Sequence, residues 1–204
     1  AVQLRDAGIT RPILILQGIT GAADVAEAAA RDFWLMLHSR QQIDNVLCSD
    51  TAKPVRVWIK VDTGMHRLGL PATELDHVCE ALSASVNVQQ ELVLCSHLAC
   101  ADELSSPITS QQVNQLRGYA AKYNLPLSIA NSAAIMYWPE THADWNRPGY
   151  MLYGNSPVGS SGSGSPGADM PDLVPAMTMT SEIISIRELS PGDAIGYGLN
   201  WVAK

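Results

Sequence analysis

From Val55 the chain reads Val-Arg-Val-Trp-Ile-Lys-Val-Asp-Thr-Gly-Met-His-Arg-Leu-Gly-Leu, and this stretch constrains the fold more than any other. Val55, Val57, Ile59 and Val61 alternate with Arg56, Trp58, Lys60 and Asp62, the two-residue period of a β-strand. Thr63-Gly64 ends the strand in a turn, because glycine reaches backbone angles closed to other residues. Lys60, Asp62 and Arg67 thereby gather at or just beyond the C-terminal end of a strand. Barrels and open α/β sheets bind their ligands on that side. A solvated surface turn uses the same residue types, and pattern alone leaves both readings open.

The neighbouring sequence extends this strand into an alternating series. Ile13-Leu14-Ile15-Leu16 is a continuous apolar run after Pro12, as expected of a strand buried on both faces. The Ala- and Glu-rich segment over 22–31 predicts a helix opened by Gly21, 33–37 another apolar strand, and 41–47 a short helix. Leu75, Val78, Cys79 and Leu82 put one apolar face on a helix over 72–83. A strand over 92–97 follows, ending in His97. A helix over 106–123 has Pro107 in its first turn, and a strand over 127–130 runs into Asn131-Ser132-Ala133-Ala134. Met151-Leu152-Tyr153-Gly154 reads as the last strand of the series. Regular alternation of strand and helix predicts a parallel α/β sheet.

A complete (β/α)₈ barrel takes about 250 residues. Residues 1–165 are therefore expected to supply only the later units of such a barrel. Beyond them, 158–167 is rich in Gly, Ser and Pro, and 166–174 reads as a linker. Met177, Met179, Ile183, Ile184 and Ile186, followed by Ser190-Pro191-Gly192-Asp193, predict that 175–204 begins an all-β domain. Ala1 is not an initiator Met, and residues 2–9 read as the end of a helix already under way, with Gly8 as its C-cap. The far end, Trp201-Val202-Ala203-Lys204, also stops without a terminating element, so an internal fragment is the expectation.

Composition narrows the function classes. With 47% apolar residues the chain can bury a sizeable core, and with a net charge of −7 it is ill suited to a nucleic-acid backbone. A locally basic pocket for a small anion remains compatible with that charge. Cys48, Cys79, Cys95 and Cys100 have no Cys-x-x-Cys spacing and no His pair at zinc-finger distance, so a reduced cytoplasm is the simpler expectation. No apolar run reaches the roughly 18 residues of a membrane span, and no signal peptide opens the chain.

Four segments carry chemistry. They are Lys60 to Gly69; Ser96-His97-Leu98-Ala99-Cys100-Ala101-Asp102; Asn131-Ser132-Ala133-Ala134; and Arg147-Pro148-Gly149-Tyr150-Met151-Leu152-Tyr153-Gly154. Each has a plain structural alternative: a Lys60 ion pair with Asp62 or another acid, a hydrogen-bonded His97, Ser132 as a helix N-cap, and a surface Arg147 before a Pro-Gly turn. Together they resemble the alanine racemases, fold-type III enzymes that use pyridoxal phosphate. The Lys-(apolar)-Asp-Thr-Gly-Met-x-Arg-Leu-Gly motif of that family stands complete from Lys60 to Gly69.

The resemblance implies that Arg67 donates to the phenolic oxygen of the cofactor and to the substrate carboxylate region. It implies that His97 lies against the ring face, that Asn131 and Ser132 help hold the phosphate, and that the Gly149 and Tyr150 backbone cradles it. Arg147 would face the pyridine nitrogen, and Lys60 matches a lysine often carbamylated in the family. It further implies an L-/D-alanine racemase that works as a homodimer in the cytoplasm and supplies D-alanine to the bacterial cell wall. Neither catalytic base is expected within 1–204: the lysine that holds the cofactor belongs upstream and the opposing tyrosine downstream. Tyr197 matches a structural Tyr-Gly segment, not that tyrosine. Racemases of serine, lysine or a broader set of amino acids, and single-domain cofactor-binding barrels without racemase activity, are the alternatives.

Overall fold

The computed structural model describes residues 1–158 and 173–204. Five parallel strands run in the order β1-β2-β3-β4-β5: β1 Ile13–Ile15, β2 Phe33–Leu37, β3 Arg56–Lys60, β4 Val93–Cys95 and β5 Leu127–Ser128. Ile13 pairs with Phe33, Leu35 with Val57, Ile59 with Leu94 and Cys95 with Ser128. Helices make every crossover: α2 (Ala22–Arg31), α3 (Arg40–Leu47), α4 (Leu75–Ala84) and α5 (Ile108–Tyr123), after the short α1 (Val2–Asp6). Beyond β5, α6 (Ser132–Tyr137) leads to a segment that bridges in parallel from Trp145 to Ser128. Strand order follows chain order without reversal, which is the topology of a barrel wall and not of a doubly wound sheet. The chain is thus α/β, built as part of a TIM-type barrel.

The sheet separates two cores. Outward-facing Leu35, Leu37, Val57, Ile59 and Leu94 pack against Val25, Ile43, Val78, Leu82 and Leu116 of the helices. On the inner side, Trp34, Met36, Trp58, Val93 and Cys95 fill the hollow of the curved wall. Trp145 closes over them, its ring 5.5 Å from Trp34 edge-on and 5.6 Å from Trp58. This second core explains why β3 is apolar on one side and still buried on both, with Trp58 at 2% and Lys60 at 9% exposure.

Several expectations change. β1 is only half-buried and Leu16 lies exposed, because β1 is the edge of the described sheet and only β2 pairs with it. Tyr150–Tyr153 is a 3₁₀ turn instead of a strand, closed by Gly154 at a φ of 83°. There a Cβ would come 2.3 Å from the carbonyl oxygen of Val174, so the chain passes against glycine backbone. The helix over 72–83 divides into a 3₁₀ turn, Ala72–Glu74, and α4. Gly8 stands one residue past the C-cap Ala7. Residues 173–193 carry no strand, and their apolar residues are exposed. β structure resumes only as an antiparallel pair, β6 (Ala194–Ile195) with β7 (Trp201–Val202). The loop at 158–167 and the linker at 166–174 fall outside the described residues, apart from residues 158, 173 and 174.

Leu94, fully buried on the central part of the sheet, tests the outer core. Leu94→Ala should lower unfolding free energy by about 2–5 kcal/mol in urea titration. A loss under about 1 kcal/mol would contradict the packing described.

Candidate functional site

The β3 loop is shaped by one carboxylate. Asp62 accepts from the backbone N–H groups of Gly64 (2.9 Å) and His66 (3.1 Å) and from His66 Nδ1 (2.8 Å). Burial is the largest single influence on Asp62 and opposes ionisation, but these donors together hold its pKa below the usual carboxylate value. The loop then folds back on its strand, Leu70 N–H donating to the Lys60 carbonyl at 2.8 Å. Gly69 makes that return possible: its φ is 138°, and a Cβ would sit 2.5 Å from the Asp62 nitrogen. Asp62 is therefore engaged with His66, and Lys60 forms no ion pair among the described residues. Arg67 stands exposed on the same loop.

Three hydroxyls and a glutamine knit the adjoining strand ends. Ser96 donates to the Val61 carbonyl at 2.8 Å and meets Thr63 Oγ1 at 2.7 Å. Gln112, on α5, donates to Thr63 Oγ1 (3.1 Å) and to the His97 carbonyl (3.0 Å), and accepts from Ala99 N–H (2.9 Å). Arg147 reaches inward from the segment after α6. Its guanidinium donates to Ser128 Oγ and to the Ser96 carbonyl, both at 2.5 Å. Its own N–H bonds the Ala130 carbonyl at 3.0 Å.

At the start of α6 the two neighbours divide the work differently from expectation. Asn131, not Ser132, is the N-cap, its side chain accepting from Ala134 N–H at 3.0 Å. Ser132 is buried in the first turn, where its Oγ accepts from the N–H groups of Gly149 (3.0 Å) and Met151 (3.2 Å). The amide beside Ser132 beyond Gly149 is thus that of Met151.

His97, Asn131, Ser132, Arg147, Gly149 and Tyr150, six of the seven residues expected to bind a cofactor, line one cavity of about 310 Å³ with Asp102, Ala133 and Pro157. Arg67, the seventh, does not line it, but its charge reaches His97 and Lys60. A larger hollow of about 850 Å³ lies along β1 and α2 and contains none of these groups, so size does not pick out the chemistry.

Burial first, then the charges of Arg147, Arg67 and Lys60, push His97 down to about 4. Its imidazole is neutral at pH 7 and a weak base. Burial likewise lowers Lys60, and Arg67 and Arg147 act in the same direction. Burial lowers Arg147 as well, though a guanidinium stays charged. The Cys95 thiol beneath them is pushed up to about 11 by burial and remains protonated. The arrangement is a cationic pocket with a neutral imidazole on its wall and hydroxyl and amide groups at one end. Such a pocket can receive a planar anion carrying a phosphate or carboxylate.

Pattern gives Gln112 and Ser128 no part in the site, and Ser96 and Asp102 enter only as members of the His97 segment. The one available signal was at Gln112, a polar residue on the apolar stripe of Val113, Leu116 and Ala120.

Acid should expose the state of His97. With its pKa held near 4 against an ordinary 6.5, the folded chain binds fewer protons than the unfolded one in between. The stability is whole above about pH 6.5 and falls as pH drops toward 4. The lowered carboxylates Asp24, Asp62 and Asp76 act below that window. Urea midpoints should therefore fall more for wild type than for His97→Gln between about pH 7 and pH 4.5. Equal losses would contradict the burial of a neutral His97.

Comparison with known proteins agrees with this architecture. The family model described as "Alanine racemase, N-terminal domain" matches residues 1–157. An alanine racemase from Chromohalobacter salexigens is 39% identical over 204 residues, covering all of this chain and 55% of the relative. The biosynthetic alanine racemase of Pseudomonas aeruginosa superposes with a TM-score of 0.85 at 35% identity, over 99% of this chain and 55% of that structure. A histidine racemase from Leuconostoc mesenteroides superposes with a TM-score of 0.77 at 26% identity, over 99% and 54%. The chain spans about half the length of these relatives. By this match and by its barrel wall, the chain belongs to the alanine racemase family.

Proposed function

We propose that the protein is a pyridoxal-phosphate-dependent racemase interconverting L- and D-alanine, and that 1–204 supplies its cofactor-holding wall. The observation that carries this is the single cavity gathering His97, Asn131, Ser132, Arg147, Gly149 and Tyr150 under three nearby cations. The donor set fits the cofactor: Ser132 Oγ accepts from the Gly149 and Met151 amides and so keeps its own O–H to donate to a phosphate, and the wall beside Gly149 is open, since a Cβ there would meet nothing within 4 Å. When bound, the cofactor's ring supplies the electron sink that acidifies the substrate Cα–H.

The residues of this chain have distinct parts in that reading. Asn131, Ser132, Gly149 and Tyr150 would hold the phosphate end, and the neutral His97 would limit the tilt of the ring. Arg147 opposes a positive charge on the pyridine nitrogen, which weakens the electron sink and favours proton return over side reactions. Arg67 orients the phenolic oxygen and the substrate carboxylate. The two groups that move the Cα proton belong to parts of the protein outside this chain. The rest of the reading follows family practice: a cytoplasmic homodimer, D-alanine for the cell wall, and 175–204 as the start of a C-terminal β domain after a linker at 166–174. The antiparallel β6–β7 pair counts against a single-domain, non-catalytic barrel. A serine, lysine or broad-specificity racemase is the competing substrate assignment, since similar folds serve different amino acids.

The full-length protein with pyridoxal phosphate should convert L-alanine to D-alanine, whereas 1–204 alone should not. In the same assay Arg147→Glu should raise the share of transamination products. Absent racemisation by the full-length protein, or turnover by the chain alone, would overturn the assignment. Unchanged side products would remove the role given to Arg147.

Lys60 is read as carbamylated in the working protein. Its lowered pKa enlarges the neutral amine fraction, the form that adds carbon dioxide with loss of one proton. The full-length protein in ¹³C-bicarbonate should show a carbamate carbon resonance that disappears in Lys60→Ala. No difference between the two spectra would exclude it.

A further inference from the structure

Gln112 is 1% exposed, yet it lies on the buried stripe of α5 among Val113 and Leu116. Its amide spends both N–H groups and one oxygen lone pair, none of them on its own helix. One N–H goes to Thr63 Oγ1, the other to the His97 carbonyl, and the oxygen takes Ala99 N–H. The bonds therefore join the loop after β3 to the loop after β4. They extend through Thr63 to Ser96 and on to the Val61 carbonyl. The aliphatic stem also supports the β3 turn, Gly64 lying so that a Cβ there would sit 3.8 Å from Gln112 Cγ.

A core position filled only for packing is served at least as well by leucine or methionine. Here an apolar side chain would strand the His97 carbonyl and the Ala99 N–H and take one of its two bonds from the Thr63 hydroxyl. All three belong to the loops that carry Arg67 and His97. We propose that Gln112 is a positioning residue, whose one amide fixes the Arg67 loop and the His97 backbone relative to each other and so sets how the imidazole faces the cavity. The role given to His97 toward a cofactor rests on the function proposed above, but the geometry assigned to Gln112 does not.

The groups facing His97 are Arg147, Arg67 and Lys60, with Asp102 on the same cavity wall. Release of the loop moves the imidazole away from the three cations and toward water, so its titration reports its placement. The first experiment uses the 204-residue chain without cofactor and follows the His97 ring protons by NMR, assigned through His97→Gln. Wild type should titrate near 4. Gln112→Met should shift the midpoint upward by about one pH unit or more, a tenfold change in proton affinity. Val113→Ala, which removes core contacts one residue along the helix, should leave the midpoint in place while lowering stability.

Gln112→Asn keeps an uncharged amide but, one methylene shorter, does not reach the Thr63 hydroxyl, the His97 carbonyl and the Ala99 N–H together. It should shift the titration in the same direction and carries the test if Gln112→Met does not fold. Midpoints at the wild-type value in the folded Gln112 variants, or equal shifts in Val113→Ala, would overturn the proposal and leave Gln112 a core residue. A second readout is the visible circular dichroism of pyridoxal phosphate bound to the full-length protein. Gln112→Met should change its sign or intensity, and Val113→Ala should not; equal spectra for wild type and Gln112→Met count against the proposal. If the full-length protein binds no cofactor, the functional reading fails, while the His97 titration still decides the part played by Gln112.

Discussion

A guanidinium held without an acid is the constraint around which the site is arranged. Arg147 reaches a hydroxyl, Ser128, and a carbonyl, Ser96, and it forms no ion pair among the described residues. Burying a charge costs several kcal/mol unless dipoles replace water around it. The two acceptors do this without cancelling the charge. Its field therefore remains available to the cavity, and neighbouring groups adjust to it. Burial first and this field second keep His97 neutral and bias Lys60 toward its neutral form, while burial keeps the proton on Cys95 against the field.

The barrel wall makes such an arrangement possible because it presents alternate residues to its inner face. Trp34, Trp58 and Trp145 pack the lower part of that face, with the Arg56 guanidinium 4.6 Å over the Trp34 ring. Lys60 continues the inward row of Trp58, and Arg147 continues that of Trp145. Each polar group thus follows an aromatic residue two positions earlier on the same strand or segment. The buried indoles of Trp34 and Trp58 exclude water from below, which strengthens the electrostatic effects above them. The same side-chain alternation supplies both the filler and the charge.

Much of this was legible in the residues. The apolar run at 33–37 and the alternation at 56–60 are strands, and Lys60 ends β3 with Arg67 on the loop beyond it, as the alternation implied. What escaped depended on distance in sequence or on near-equivalent neighbours. Asn131 and Ser132 are both good caps, and only the approach of Gly149 and Met151 gives Ser132 a different task. Met151-Leu152-Tyr153-Gly154 is too short for its pattern to separate a strand from a 3₁₀ turn. The apolar alternation after Met177 has no partner strand among the described residues, and alternation alone does not make a sheet. Gln112 bonds residues 49 and 15 positions away, so no local pattern announces it.

The sheet order has a consequence for how the protein is made. From β2 onward, each strand pairs on one side with the strand that immediately precedes it in the chain. A ribosome therefore releases every one of these strands after its neighbour, with only a single helix between them. No strand of the wall has to wait for a distant stretch to be translated before its first ladder can close. Arg147, by contrast, joins Ser96 and Ser128 across separations of 51 and 19 residues. The scaffold can thus assemble in the order of synthesis, and its charged centre is completed only when the last of its pieces emerges.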